Sequence, residues 1–235
     1  MITERCRGGR AFLVLTLVLL SAFTGKGWGA SERARVRAEE QLERIAVHFE
    51  ALQSDPAKAI PAEILRDARA LVIVRETRAG FIVGGKGGSG VMLVRDAEGW
   101  GTPAFVKTRE GGVGLQAGWQ SATIVQVLMS NTALDAVRTN QFRFGVGLRV
   151  TSGPRTMGDE AKTRSAGSDI LIYSDTGGLF GGLAVEGGTL RPDAAANRDV
   201  YGMEAEAVLF RGRPAATAAG RRLLGIIDRF SRDGK

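Results

Sequence analysis

Apolar residues recur along this chain with different periods, and each change of period marks an element. From Ser31 to about Gln53, Leu42, Ile45, Ala46, Phe49 and Leu52 return at three- and four-residue spacing, which predicts an amphipathic helix. Ser54-Asp55-Pro56 breaks it. Pro61, preset for a first helical turn, begins a second helix with Ile64, Leu65, Ala68 and Leu71 on its buried face. That helix runs into Leu71-Val72-Ile73-Val74, a continuous apolar run that reads as the first strand.

From Ala79 to Arg95 (AGFIVGGKGGSGVMLVR) two apolar segments flank a glycine cluster carrying Lys86, a pattern of strand, glycine turn and strand. Trp100, Pro103, Phe105 and Val106 predict a short strand, Gly112 to Gly118 is again glycine-rich, and Thr123 to Met129 is β-branched and mostly apolar. Ser130 is placed to cap a short helix from Ala133 to Arg138. The clearest strand pattern is Phe142 to Val150, where Phe142, Phe144, Val146, Leu148 and Val150 alternate with Arg143, Gly145, Gly147 and Arg149. Its glycines mark either a bend or a place where a backbone or ligand comes close. Pro154 to Gly167 reads as a polar loop, Ile170 to Tyr173 as a strand, and Gly177 to Gly188 as a glycine-punctuated segment with Leu179, Leu183 and Val185 in alternate positions. Asp193 to Asp199 predicts a helical turn and Glu204 to Phe210 a final strand. Pro214 is expected to open a C-terminal helix through Leu223, Leu224, Ile227 and Phe230. Strands fill the middle and helices bracket them, so the class is α+β: a curved or barrel-like, mainly antiparallel sheet with flanking N- and C-terminal helices.

The N-terminus changes the picture. Arg5, Arg7 and Arg10 precede an apolar run from Ala11 to Phe23, and small residues precede Ser31, the three parts of a secretory signal with cleavage expected after Ala30. The run is shorter than the ~20 residues of a spanning helix, so export favours a removed signal over a retained anchor. The expected division is signal peptide 1–30, leading helix 31–58 and a domain over 59–235, in a periplasmic or other envelope compartment. Cys6 is the only cysteine and lies before that cleavage point, so the exported part has neither disulfides nor thiolate chemistry. The formal charge of +7 falls to +4 once Arg5, Arg7, Arg10 and Lys26 leave together with Glu4. For an exported protein, a modest basic excess fits anionic lipid or envelope polyanions better than nucleic acid. Arg33, Arg35 and Arg37 crowd the start of the leading helix, where cations oppose its dipole. This points either to a role outside helix stability or to a frayed, charged leader.

Candidate chemistry is sparse. Gly85, Gly87 and Gly90 satisfy a dinucleotide fingerprint, but Val91-Met92-Leu93-Val94 continues as a strand where that motif needs a helix N-terminus. Gly80, Gly85 and Lys86 approach a phosphate loop, with Gly87 where a magnesium-binding hydroxyl belongs. Ser89 is not in a nucleophile elbow, because Val91 replaces its last glycine. His48, the only histidine, flanks the apolar stripe as an ordinary helix-surface residue. No catalytic constellation, metal set or cofactor is expected. Two readings of the glycine turn stay open: a backbone nest with one lysine for an anionic headgroup, or geometry alone.

Taken together, Ile60-Pro61, Ala79-Gly80-Phe81, Gly84, Lys86 to Gly90, Trp100 with Pro103, Gly112, Gly114, Gln116 and Gly118 form an ordered series. It continues through Gly153-Pro154, Tyr173-Ser174, Gly178-Leu179-Phe180 with Gly182, and Tyr201-Gly202. Over Ala59 to Gly202 the chain resembles the SYLF domain family. That resemblance implies non-enzymatic binding of phosphoinositides or other anionic phospholipids, assisted by an amphipathic leading helix. Some members bind actin, which is not expected of an exported protein; protein partners remain open. Members commonly place a basic residue before Gly-Leu-Phe, whereas Thr176-Gly177 stands here. The residues expected to meet lipid are Lys86, Gly87, Gly88, Ser89, Arg33, Arg35, Arg37, Arg143 and Arg149. An interaction module of the envelope is the alternative, and a hydrolase using Ser89 the third.

Overall fold

The protein was analysed as a computed structural model, which describes residues 11–80, 84–112, 118–139, 147–154, 167–176 and 189–232. At 11–28, 30, 78–80, 84–86, 109–112 and 118–120 it describes the backbone alone. One long helix, α1 (Ala11–Ser54), leads into the short α2 (Ala62–Asp67). The strands β1 (Ala70–Gly80), β2 (Gly84–Asp96), β3 (Gly99–Trp100), β4 (Ala104–Gly112) and β5 (Gly118–Leu128) follow. After α3 (Asn131–Arg138) come β6 (Val150–Ser152), β7 (Ile170–Ser174) and β8 (Thr189–Pro192). The chain closes with α4 (Ala194–Tyr201), α5 (Ala205–Ala207) running into a π turn at Val208–Gly212, and α6 (Ala218–Arg232).

Among the described residues the strands form one sheet in the order β6-β7-β5-β1-β2-β4-β8, with β3 pairing β2. All pairs are antiparallel except β6 with β7. Among the described residues the sheet does not close into a barrel. Its strands are buried on both faces. Leu71, Ile73, Val91, Leu93, Phe105, Val125 and Val127 pack with α1, α2 and α6. Val72, Val74, Met92, Val106, Ile124, Ile170 and Ile172 pack toward α3 and the π turn. This explains why β1 reads as an unbroken apolar run instead of alternating.

The leading helix is part of the core. Ala38, Leu42, Ile45, Ala46, Phe49 and Leu52 are buried between sheet and α6. Each large side chain in that stripe is worth about 1.5–3 kcal/mol relative to exposure. Glu39 accepts from the Ala219 N–H at 2.7 Å, capping the start of α6, and Arg229 bonds Glu50 at 2.5 Å. Gln41 reaches the Gly90 carbonyl at 3.2 Å, fixing α1 against β2.

Several expectations need correction. The glycines of the Ala79–Arg95 motif are not a turn: Gly84 to Gly90 lie within β2, paired with β1 on one side and β4 on the other. Glu204 to Phe210 is helical, because Ala and Glu favour helix and its buried residues Ala205 and Val208 recur at helical spacing. The C-terminal helix starts at Ala218, and the Pro214 carbonyl instead accepts from the Thr102 hydroxyl at 2.5 Å. In the predicted Phe142–Val150 strand, 140–146 lie outside the described residues, Gly147 has φ +71°, and pairing begins only at Val150. The Gly177–Gly188 segment, the middle of the Gly112–Gly118 segment and most of the Pro154–Gly167 loop also lie outside them. Ser130 caps α3 as expected, accepting from the Ala133 N–H at 3.1 Å, and Asp193 caps α4.

Two polar locks join elements distant in sequence. Fully buried Asn197 on α4 accepts from the Phe105 N–H at 2.9 Å and donates to the Phe105 and Asp193 carbonyls at 2.8 Å each. Replacing its amide nitrogen by oxygen faces two carbonyls with an acceptor. Asn197→Asp is therefore expected to lower stability by about 3 kcal/mol in urea unfolding. Asp169 accepts from the Ser130 hydroxyl at 2.5 Å and the Arg149 N–H at 2.8 Å, and these bonds hold its carboxyl below the usual value. A depressed carboxyl stabilises the fold above its unfolded-state pKa and loses that contribution as pH falls through the folded one. Urea midpoints measured from pH 7 down through about pH 4 and below are expected to fall less steeply for Asp169→Asn than for the wild type.

Candidate functional site

Strand alternation decides how the expected lipid-binding residues are arranged. Val91 and Leu93 face α1, whereas Met92 faces α3, so Gly87 and Ser89 belong to the α1 face and Gly88 to the opposite one. Lys86 occupies the β2 position paired with Arg78 and Glu110, at opposite parity to Ser89. The contiguous motif is thus divided between two faces. Its backbone is also committed, since β2 is flanked by ladders on both sides, and the nest expected of a glycine turn does not form there.

The glycines differ in what they permit. A Cβ on Gly90 would lie 2.0 Å from the Ile73 carbonyl oxygen and 2.6 Å from Val74 Cα. One on Gly88 would meet Thr108 Oγ1 at 2.7 Å and the Arg75 carbonyl oxygen at 2.8 Å. Close strand approach explains both. Gly87 is exposed, and its added Cβ would find only the Thr108 carbonyl oxygen, at an ordinary 3.7 Å.

Pairing brings together cations that are far apart in sequence. Across β5, β1, β2, β4 and β8 the register aligns Thr123, Arg75, Ser89, Lys107 and Arg191 in one row on the α1 face. Arg75 donates to Thr123 Oγ1 at 3.2 Å and lies 3.9 Å from Asp175. Lys107 pairs with Asp193 at 2.8 Å, and Arg191 is exposed with no ion pair among the described residues. His48 on α1 sits close enough to Arg75 and Asp175 to feel both charges. Burial first, and the Arg75 charge second, lower its pKa. Arg75, Lys107 and Arg191 were missed because only register reveals the row.

Arg33, Arg35 and Arg37 are exposed on α1. Arg35 continues the stripe of Leu42 and Phe49 at seven-residue intervals, yet Leu42 and Phe49 are buried and Arg35 is not. The helix has run past the sheet before Ala38. Arg33 and Arg37, one turn apart, share a side of that overhang, with Arg35 roughly opposite. Arg149 is exposed beside Gly167 at the β6 edge, four strands from β2 or about 19 Å, and is not brought to the row. Arg143 lies outside the described residues. Among the described residues no three His, Cys, Asp or Glu side chains group as a metal set, and no helix is long and apolar enough to cross a membrane.

Fold and surface together define an α+β domain: a sheet packed on two faces, a core-packed leading helix and basic side chains collected by strand pairing. The profile of the Ysc84 family, described as "Las17-binding protein actin regulator", matches residues 109–230, more than half of the chain. The protein belongs to this family, the SYLF-domain family that its motifs resemble. An SH3 domain-containing protein of Schizosaccharomyces pombe is 32% identical over 179 residues, covering 73% of this chain and 41% of the relative. The SH3 domain-containing YSC84-like protein 1 of Homo sapiens is 30% identical over 185 residues, 76% of this chain and 54% of the relative. Protein YSC84 of Saccharomyces cerevisiae is 30% identical over 177 residues, 73% and 38% respectively. The chain thus spans about half or less of the length of these curated relatives. No solved structure matches.

The glycine contrast is directly measurable. Gly90→Ala is expected to destabilise by about 3 kcal/mol, since β1 and β2 must separate, whereas Gly87→Ala should be neutral or gain up to about 0.5 kcal/mol. Urea unfolding of the two variants reads the difference.

Proposed function

We propose that the protein is a non-enzymatic domain of the cell envelope that binds anionic phospholipid headgroups. The observation that carries this reading is the exposed, basic stretch of α1 just ahead of its buried stripe: Arg33, Arg35 and Arg37 extend past the sheet while Ala38 onward is fixed in the core. A rigidly held helix presents those guanidinium groups without fraying, and each basic residue near an anionic surface contributes about 1 kcal/mol. The exposed Arg191 of the basic row supplies a second cationic point, and Lys86 adds to the basic character of β2. The secretory pattern of residues 1–30 supports an envelope location.

Binding through a protein partner is the second reading, favoured by the description of the matching family as Las17-binding and actin-regulating. Here the same surfaces would meet an acidic protein face.

Vesicle co-sedimentation separates the two. The mature chain, from Ser31 onward, is expected to pellet with phosphatidylglycerol-containing vesicles at low salt, to release at higher salt, and to ignore phosphatidylcholine alone. The variant with Arg33, Arg35 and Arg37 all changed to Gln should bind about 100-fold more weakly, from three losses of about 1 kcal/mol. Failure to pellet with either vesicle, combined with co-sedimentation on actin filaments, would replace the lipid reading with the second one.

A further inference from the structure

On the sheet face away from α1 lies a cavity that none of the expected lipid-binding residues lines. Its volume is about 290 Å³, roughly that of ten water molecules in the liquid and at the lower end of ligand pockets. The floor is Met92 of β2, Val106 of β4 and Leu190 of β8; the walls are Val137 of α3 with Leu209 and Phe210 of the π turn. All six are apolar. A π turn is rare and tends to occur at functional sites, and here two of its consecutive residues line the space while Val208 anchors it in the core.

The mouth has its own charge pattern. The Arg138 guanidinium lies 4.7 Å from the Phe210 ring centroid, over its face, and its partner Asp135 is 3.7 Å away with a side chain 66% exposed. That pair is long and solvated, so an incoming anion can replace it at little loss. The two acids at the rim are already engaged, Glu204 by Arg198 at 2.8 Å and Glu206 by Arg211. Arg138 and Arg191, the latter exposed and without an ion pair among the described residues, are therefore the rim cations that can meet a ligand, beside a floor and walls of apolar side chains that offer no polar group to orient a sugar or nucleotide.

We infer that this cavity between α3, β8 and the π turn takes one medium-length acyl chain whose anionic end group meets the rim cations, Arg138 and Arg191. The ligand is a free fatty acid or a tail of an acidic lipid; for the second source, the inference rests on the lipid reading above. The π turn is the wall that shapes the pocket, and the sheet supplies its rigid floor. Chain length sets affinity, because each added methylene leaves water until the cavity is full.

Calorimetric titration of the full chain with sodium hexanoate, octanoate and decanoate, each below micelle formation, tests it. One saturable site is expected, tightening about tenfold for every two carbons and then levelling. Leu209→Trp, which fills the cavity, should abolish decanoate binding. Arg138→Gln, at an exposed position that leaves the core untouched, should weaken decanoate about tenfold and leave decanol unchanged, so the test survives if the tryptophan variant misfolds. Mass spectrometry of protein recovered from phosphatidylglycerol vesicles distinguishes the sources: retained phospholipid identifies a lipid tail, and its absence with decanoate still bound identifies free fatty acid. Absence of saturable decanoate binding, binding indifferent to chain length, or binding unchanged in both variants would overturn the inference. Vesicle pelleting reports the α1 arginines separately. Decanoate binding without pelleting sinks only the surface reading, and pelleting without decanoate binding sinks only this one.

Discussion

Burial of the α1 stripe between the sheet and α6 is the contact on which the rest of the molecule depends. Leu42, Ile45, Phe49 and Leu52 cover the sheet face formed by Leu71, Ile73, Val91 and Leu93, which without them would be an exposed apolar surface. The same contact sets the functional geometry. It fixes the helix at Gln41 and Glu39, so the residues before Ala38 project as a continuation of a rigid rod and not as a loose tail. It also leaves the Arg75, Ser89, Lys107 and Arg191 row at the edge of the helical layer.

The glycines of β2 serve this packing from within the sheet. Gly90 permits β1 and β2 to approach at the point where Gln41 reaches over from α1, and Gly88 does the same two pairs further on. Other motif residues prove equally structural. Gly153 lies against the Tyr173 ring, where a Cβ would be 2.1 Å from Cζ, and the Tyr173 hydroxyl donates to the Pro154 carbonyl at 3.1 Å. Tyr201 donates to the Pro103 carbonyl at 2.9 Å, and Gly202 ends α4 in the left-handed region at φ +67°. Arg95 lies over Trp100 and donates to the Leu65 carbonyl, fastening the end of α2. The family signature therefore reports how the fold closes more than where a ligand sits.

That distinction explains what could be read from the sequence. The class, the flanking helices, the Ser130 cap and the apolar strands were legible because period and capping are local properties. Glu204 to Phe210 was misread as a strand because a seven-residue segment that alternates Glu204 and Glu206 with alanines before Val208-Leu209-Phe210 supports either period, and packing against the sheet selected the helix. The glycine cluster was misplaced for a different reason. Glycine favours turns when nothing else constrains it, but between two long strands its lack of a side chain is used for close pairing. Register is not local, so the split of Lys86 from Ser89 and the gathering of Arg75, Lys107 and Arg191 could not be read from spacing along one strand.

A sheet packed on both faces has one further consequence for function. Its backbone hydrogen bonds are spent in the ladders, so the central strands cannot hold an anion with N–H groups, and recognition passes to side chains at the margins of the layers. Two such margins exist among the described residues, and they differ in chemistry. On the α1 side the margin is polar and cationic, and the arginines ahead of Ala38 continue it outward. On the α3 side the π turn stands off from Met92 and Val106, leaving apolar space with Arg138 and Arg191 at its rim. A headgroup suits the first margin and a hydrocarbon chain the second. Arg191 on the edge strand β8 belongs to the cationic row and also borders the apolar space, so the two margins meet at that edge.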